Sequence, residues 1–316
     1  MSPFVCNGLE LGIMVSTEMS SADREEVLSL APWQDAGATG TLFRGTAASV
    51  SDIWGRRELL GMLTRRELKS RYKDSALGFL WSLARPLTQL LIYYVVVGQF
   101  LHAARGIDNF AVYIFAGLTI YTLFSEIIAT GTGSIIANSG LVKKVYLPRE
   151  IFPLATIGSA LFNFVIQLMI LLVASFFLGT LTLGLHLFYA VGALAIVLIF
   201  GAAFSLILSA VNVFLRDVQY IVEVALLLLM WGSPIVYSLK AVSGFFPHWL
   251  LQIYIDNPVT LAVLGFQDAF WSPTGEGGSP ADLGLRMLMV GIIGPIILFG
   301  AQRLFTRLSG NFAQEL

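Results

Sequence analysis

Six long apolar runs, each able to cross a lipid bilayer as a single helix, leave this chain few folds to choose from. A hydrocarbon core of about 30 Å takes roughly 20 helical residues to cross. The runs extend from about Phe79 to Leu101, Phe110 to Ala129, Ile151 to Leu178, Leu185 to Val213, Val218 to Leu239 and Leu283 to Phe305. None alternates with period two, as barrel strands facing both lipid and lumen must, so the expected fold is an all-α polytopic membrane protein of six transmembrane helices. Composition agrees. With 56% hydrophobic and only 12% charged residues among 316, and a mean hydropathy of +0.78, the chain lies outside the range of soluble globular domains.

The basic residues sort to one side of these runs. Arg56, Arg57, Arg65, Arg66, Lys69, Arg71, Lys73 and Arg85 precede the first or sit at its mouth, Lys143, Lys144 and Arg149 join the second to the third, and Arg216, Arg303 and Arg307 follow the same alternation. The opposite loops hold Arg105 and Lys240, with Arg286 at a helix mouth, while Asp256, Asp268, Glu276 and Asp282 crowd the last of them. The positive-inside rule then predicts that both termini are cytoplasmic. Residues 1–50 are polar and lack the apolar core of a signal peptide, so the expectation there is a mostly disordered cytoplasmic tail. Residues 51–78 form the next unit and 79–316 the membrane domain.

From Trp54 to Leu77 the spacing predicts a basic amphipathic helix. Leu59, Leu60, Leu63, Leu68 and Tyr72 share one broad side, and Arg65, Lys69 and Lys73 stack at i, i+4, i+8 on the other with Arg66 beside them. Such a helix lies in the headgroup plane, either facing anionic lipid or simply anchoring the topology. The last outer loop, Lys240 to Asp282, contains two apolar segments too short to span, Gly244 to Ile255 and Pro258 to Trp271, expected as re-entrant or interfacial helices with Asn257-Pro258 as their turn. Its aromatic density, in Phe245, Phe246, Trp249, Phe266 and Phe270 among others, fits an interfacial belt or a gate.

Polar residues within the runs cost several kcal/mol if they face lipid. Glu126 and Glu223, both toward the cytoplasmic end of their runs, must face a protein interior, a partner or an aqueous path, or else snorkel to the interface or pair with a nearby Arg or Lys. Asn163 and Gln167 share a face of the third helix, available to a polar substrate or as interhelix glue, whereas Gly201, Ser205 and Ser209 make a small-residue packing stripe on the fourth. The chain has no GxxxxGK[ST] phosphate loop, HExxH or GxSxG, and its three histidines are scattered. One cysteine, Cys6, excludes an intrachain disulfide, and no metal cluster or nucleic-acid platform is evident.

Five segments together carry a family resemblance: RRELKSRYKDSALGFLWSLARPL (Arg65 to Leu87), KKVYLPREIFPLA (Lys143 to Ala155), NVFLRDV (Asn212 to Val218), SPIVYSL (Ser233 to Leu239) and DNP (Asp256 to Pro258). In this order and spacing they resemble the permease subunit of ABC-2 type polysaccharide exporters, which move O-antigens, teichoic acids and related lipid-linked glycans. Within that family the chain is most similar to actinobacterial permeases for the lipid-linked galactan of the cell wall.

The resemblance implies a transport subunit of the bacterial plasma membrane without an ATPase site of its own. It implies two copies of the chain with two copies of a separate ABC nucleotide-binding subunit, and ATP and Mg held on that partner. The loop between helices two and three would dock on the ATPase through Val142, Lys143, Lys144, Tyr146, Pro148, Arg149 and Glu150. Arg65, Arg66, Lys69, Arg71 and Lys73 would border the entry gate for a lipid pyrophosphate, a role suited to guanidinium forks. Tyr93, Tyr94, Tyr113, Tyr121 and Phe124, with Asn163 and Gln167, are the implied tunnel candidates, and the two short outer segments the gate. Alternatives from other classes are an ABC-2 exporter of a different amphiphile, a membrane-embedded glycan or lipid transferase, and a noncatalytic scaffold.

Overall fold

In the computed structural model, residues 55–72, 80–100, 108–144, 147–181, 184–271 and 279–316 are described. The expected tail over 1–50 lies outside them. The helices in chain order are α1 (Arg57–Tyr72), α2 (Leu80–Ile92, continued by a π-helical stretch Tyr93–Phe100), α3 (Phe110–Ala137), α4 (Ser139–Lys144), α5 (Ile151–Phe177), α6 (Leu187–Phe214), α7 (Val218–Trp231), α8 (Leu239–Ser243), α9 (His248–Ile255), α10 (Pro258–Phe270), α11 (Leu283–Ser309) and α12 (Phe312–Glu315). Among the described residues there is no strand.

Among the described residues four helices, α3, α5, α6 and α11, are long and apolar enough to cross a membrane, and α9 with α10 makes a fifth apolar unit bent by 75°. The helix expected over 218–239 is shorter than its apolar run. α7 stops at Trp231 because Pro234, three residues on, has no N–H to continue the ladder. The irregular stretch that follows is held by side chains from elsewhere, as unpaired backbone at membrane depth requires. The Pro234 carbonyl accepts from Gln267 Nε2 at 3.0 Å, and the Tyr113 hydroxyl lies 3.0 Å from the same carbonyl and 2.8 Å from that of Tyr237.

α3 is the central helix, packed against α5, α6 and α10. Its approach to α6 is closest at Gly131, where a Cβ would sit 1.9 Å from Ser205 Oγ and 2.8 Å from Ser205 Cβ. Ser205 and Ser209 are buried, and a Cβ on Gly201 would lie a tight 3.1 Å from Ile127, so the small-residue stripe of α6 is a packing surface as expected. Of the two alternatives expected for α10, burial excludes the interfacial one: nearly all of its residues are buried, because it packs along both α3 and α6.

A second apolar cluster closes one end of the bundle. Leu63 of α1, Ile135 of α3, Ile151 and Phe152 of α5, Leu206 and Val213 of α6, Phe305 of α11 and Phe312 of α12 meet there, so the first and last described helices lie at the same end. α1 is seated on α5 by more than its leucines. Thr64 Oγ1 donates to the Ala155 carbonyl at 3.2 Å, and Gly158 lets the two helices touch, since a Cβ there would lie 2.8 Å from Thr64.

Candidate functional site

At the α1 end the apolar side of α1 meets the bundle and its cations face away. Arg65, Arg66 and Lys69 are exposed, and Arg66 Nη2 donates to Asn138 Oδ1 at the junction of α3 and α4. Lys73 lies outside the described residues, as does the side chain of Arg71. The corner between α3 and α5 divides into two kinds of residue. Lys143 and Lys144 are exposed, whereas Val142 and Glu150 are buried and Pro148 and Arg149 half-buried. The Arg149 guanidinium stacks 5.5 Å from the Phe312 ring, and the Glu150 carboxylate lies 3.5 Å from Thr306 Oγ1. Arg149 and Glu150 therefore fasten the corner to α11 and α12, which leaves the two lysines as its open charges. Tyr146 lies outside the described residues.

The opposite end is organised by Arg286, at the mouth of α11. Its Nε donates to Asp282 Oδ2 at 2.8 Å, Nη1 to Asp256 Oδ1 at 2.6 Å and Nη2 to Gln252 Oε1 at 2.6 Å. Asp256 precedes the Asn257-Pro258 turn, where the Asn257 side chain accepts from the Val259 N–H to cap α10 and Pro258 occupies the first helical turn. The DNP triplet is thus a complete corner: an ion-pair anchor, a cap and a helix start. Phe245 and Trp249 project outward, and Phe246 is partly open against Tyr254. Phe266 and Phe270, expected with them in the outer gate, are instead buried in the core, because α10 is.

Between the ends, α3 has one partly open stripe. Thr122, Ser125, Glu126, Ala129, Thr130 and Gly133 recur at i, i+3, i+4, i+7, i+8 and i+11, and each is half-buried while every other residue from Val112 to Ile135 is buried. Every member is polar or small. The stripe is bracketed by α5, where Asn163 Nδ2 donates to Glu126 Oε1 at 2.7 Å, and by α7, where Gln219 Nε2 donates to the Ala129 carbonyl at 3.3 Å. The sequence reading singled out Glu126 and Asn163 but missed the stripe, although its spacing is visible once apolar residues are ignored.

Most of the aromatic tunnel candidates take structural positions. Tyr113, Tyr121 and Phe124 are buried within a single chain, and the Tyr121 hydroxyl donates to the Leu226 carbonyl of α7. With 6% or less of each surface open, these three rings fill the core of the chain rather than offering a face at its surface. Gln167 is buried as well. Tyr93 packs edge-on to Trp231 at 6.2 Å between centroids, and only Tyr94 of this set is exposed.

Comparison with known proteins fits this architecture. The sequence pattern of ABC-2 type transporters matches residues 58–271, from the start of α1 to the end of α10. This chain belongs to the ABC-2 type transporter family. An O-antigen export system permease protein RfbA of Klebsiella pneumoniae is 31% identical over 69% of this chain and 82% of the relative. A protein of the same name from Myxococcus xanthus is 28% identical over 84% and 98%. The polysialic acid transport protein KpsM of Escherichia coli is 33% identical, over 29% of this chain and 34% of its own length. As an ABC-2 subunit the chain is a multi-pass membrane component of a transporter, and the family implies an ABC ATPase as its working partner.

Proposed function

We propose that this chain is the membrane-spanning permease of an ATP-driven exporter that carries a lipid-linked polysaccharide from the cytoplasmic to the outer side of a bacterial plasma membrane. The observation that carries the reading is the 31% identity to an O-antigen export permease across 82% of that relative, within a family match that begins at the basic helix. Two copies of the chain pair with two ATPase subunits, which bind ATP and Mg. Six crossings and cytoplasmic termini complete the topology, with α2 and α7 as the two shorter crossings and the basic α1 end inside.

Physical features support each part. α1 leaves Arg65 and Lys69 exposed at the end of the bundle, and guanidinium or ammonium groups of this kind hold phosphate oxygens by charge-assisted hydrogen bonds. Lys143 and Lys144 are exposed on a corner that Arg149 and Glu150 fasten to α12 and α11, so a partner pushing on α4 moves a braced element. A cell-wall galactan is the specific cargo suggested by the sequence resemblance.

The test is depletion of this chain in its host, followed by extraction and analysis of lipid-linked glycans. A lipid-linked polysaccharide should accumulate on the cytoplasmic side while its surface form declines, and its sugars identify the cargo. Normal surface polysaccharide with no trapped intermediate refutes the reading.

A further inference from the structure

Glu223 is a carboxylate on the exposed face of an apolar helix. α7 turns Val222 and Met230 into the bundle and leaves Tyr220, Ile221, Val224, Leu227, Leu228 and Trp231 exposed. Its register against α3 comes from two contacts, Gln219 to the Ala129 carbonyl and Tyr121 to the Leu226 carbonyl. These run antiparallel, so Glu223 lies midway between them, level with Ser125 and Glu126. At ~1.5 Å per residue Glu126 lies about 24 Å from Phe110 and about 17 Å from Ala137 along α3. With a hydrocarbon core of about 30 Å centred on that helix, both residues sit roughly 4 Å from the midplane and about 11 Å inside the nearer boundary. A glutamate side chain is too short to snorkel that far, and a charge there is costly against lipid.

A direct seam between two α7 helices does not resolve this. A two-fold axis along the membrane normal preserves depth, so Glu223 would meet a carboxylate of its own kind at the same level. The remaining environment is polar, and the neighbouring chemistry says of what kind. Tyr220, Glu223, Leu227 and Trp231 form one strip at i, i+3, i+7 and i+11, with an exposed ring at each end and an acceptor between them. At the same depth α3 offers its half-open polar stripe, in which Asn163 orients Glu126.

We propose that Glu223, with the Glu126–Asn163 pair at its level, is a mid-membrane station that accepts hydrogen bonds from sugar hydroxyls as the glycan passes. A carboxylate has only acceptor sites, and its two oxygens suit the paired hydroxyls of a sugar ring. The flanking Tyr220 and Trp231 rings offer apolar surface to the ring's C–H faces. The assignment rests on the export reading above.

Two measurements separate its failure from a failure of that reading. The chain has one cysteine, Cys6, so a Cys6→Ser background permits single-cysteine labelling in intact membranes. Glu223→Cys should react with a charged methanethiosulfonate at least about tenfold faster than Ile221→Cys, which is two residues away at nearly the same depth but about 160° round the helix. In cells whose unaltered chain exports the glycan, Glu223→Leu should lower export about tenfold per unit of protein in the membrane, since a charge-assisted acceptor is lost. Glu223→Gln retains one carbonyl acceptor and should stay within about threefold. Labelling of Glu223→Cys only by a lipid-soluble maleimide, oxidation of it to a disulfide-linked pair, or unchanged export by Glu223→Leu each overturns the station. If the unaltered chain exports no glycan, the export reading fails, while the labelling result still decides whether Glu223 faces an aqueous path.

Discussion

Replacing Arg286 by alanine should loosen α9 and leave the rest of the bundle intact. Otherwise α9 is held by Ile255, its one buried residue, by Leu251 and Tyr254 packed partly against the core, by a 3.3 Å hydrogen bond between Tyr254 and Tyr237, and by Phe246 against the Tyr254 ring. The Asp256 and Asp282 side chains are 52% and 48% exposed, so each ion pair with Arg286 is discounted for solvent to roughly 0.5 kcal/mol. The hydrogen bond to Gln252 adds about 1 kcal/mol, since Arg286 itself is mostly shielded. Asp282 belongs to the start of α11 itself, so the contacts that tie α9 to Arg286 come to about 1.5 kcal/mol, roughly a tenfold rise in local opening. Hydrogen exchange read by mass spectrometry on the purified complex should show that rise over His248–Ile255, with α3 and α6 unchanged. Arg286→Lys should fall between the two, because an ammonium keeps the charge but not the three-way fork. Raising salt should narrow the gap between wild type and Arg286→Ala, as half-exposed ion pairs are screened. Unaltered exchange in α9, or an equal rise in every helix, would refute the view of Arg286 as a clamp on this element.

Other expectations follow from equally local observations. Gly131→Ala should lower the thermal midpoint of the detergent-purified protein, with a cost of about 1–3 kcal/mol for overpacking, and Ser205→Gly should restore most of it by removing the atoms that the new methyl group meets. Gly158→Val should lift α1 off α5 and expose the α1 region to limited proteolysis without lowering the stability of the α3–α6 pair. Lys143→Glu with Lys144→Glu should uncouple ATP hydrolysis from export while insertion is unaffected, because both side chains are free of the bundle; unchanged export would remove the docking role of α4. Arg149→Glu should act differently, by destabilising the α12 corner through loss of its stacking on Phe312.

Hydrophobic length and charge sidedness were sufficient to read this as a helical membrane protein, since every unsatisfied backbone group in lipid is costly and few folds avoid that cost. The basic helix, the α6 packing stripe and the Asn257-Pro258 turn were equally legible, because each depends on neighbours within a few residues. Depth and facing were not. Nothing local in Tyr113 or Phe266 says that one steadies the carbonyls after α7 and the other fills the α10 core, and aromatic residues in a span look alike until their neighbours are known. The same holds for charge. Arg149 and Lys143 belong to one basic loop, yet packing of α12 immobilises the first and leaves the second open. By itself the sequence determined the solvent in which this chain folds and its family. The sequence placed Glu126 and Glu223 toward the same end of their runs, but tertiary structure alone decided how they register, because that depends on the antiparallel contact of α7 with α3 between residues about a hundred positions apart.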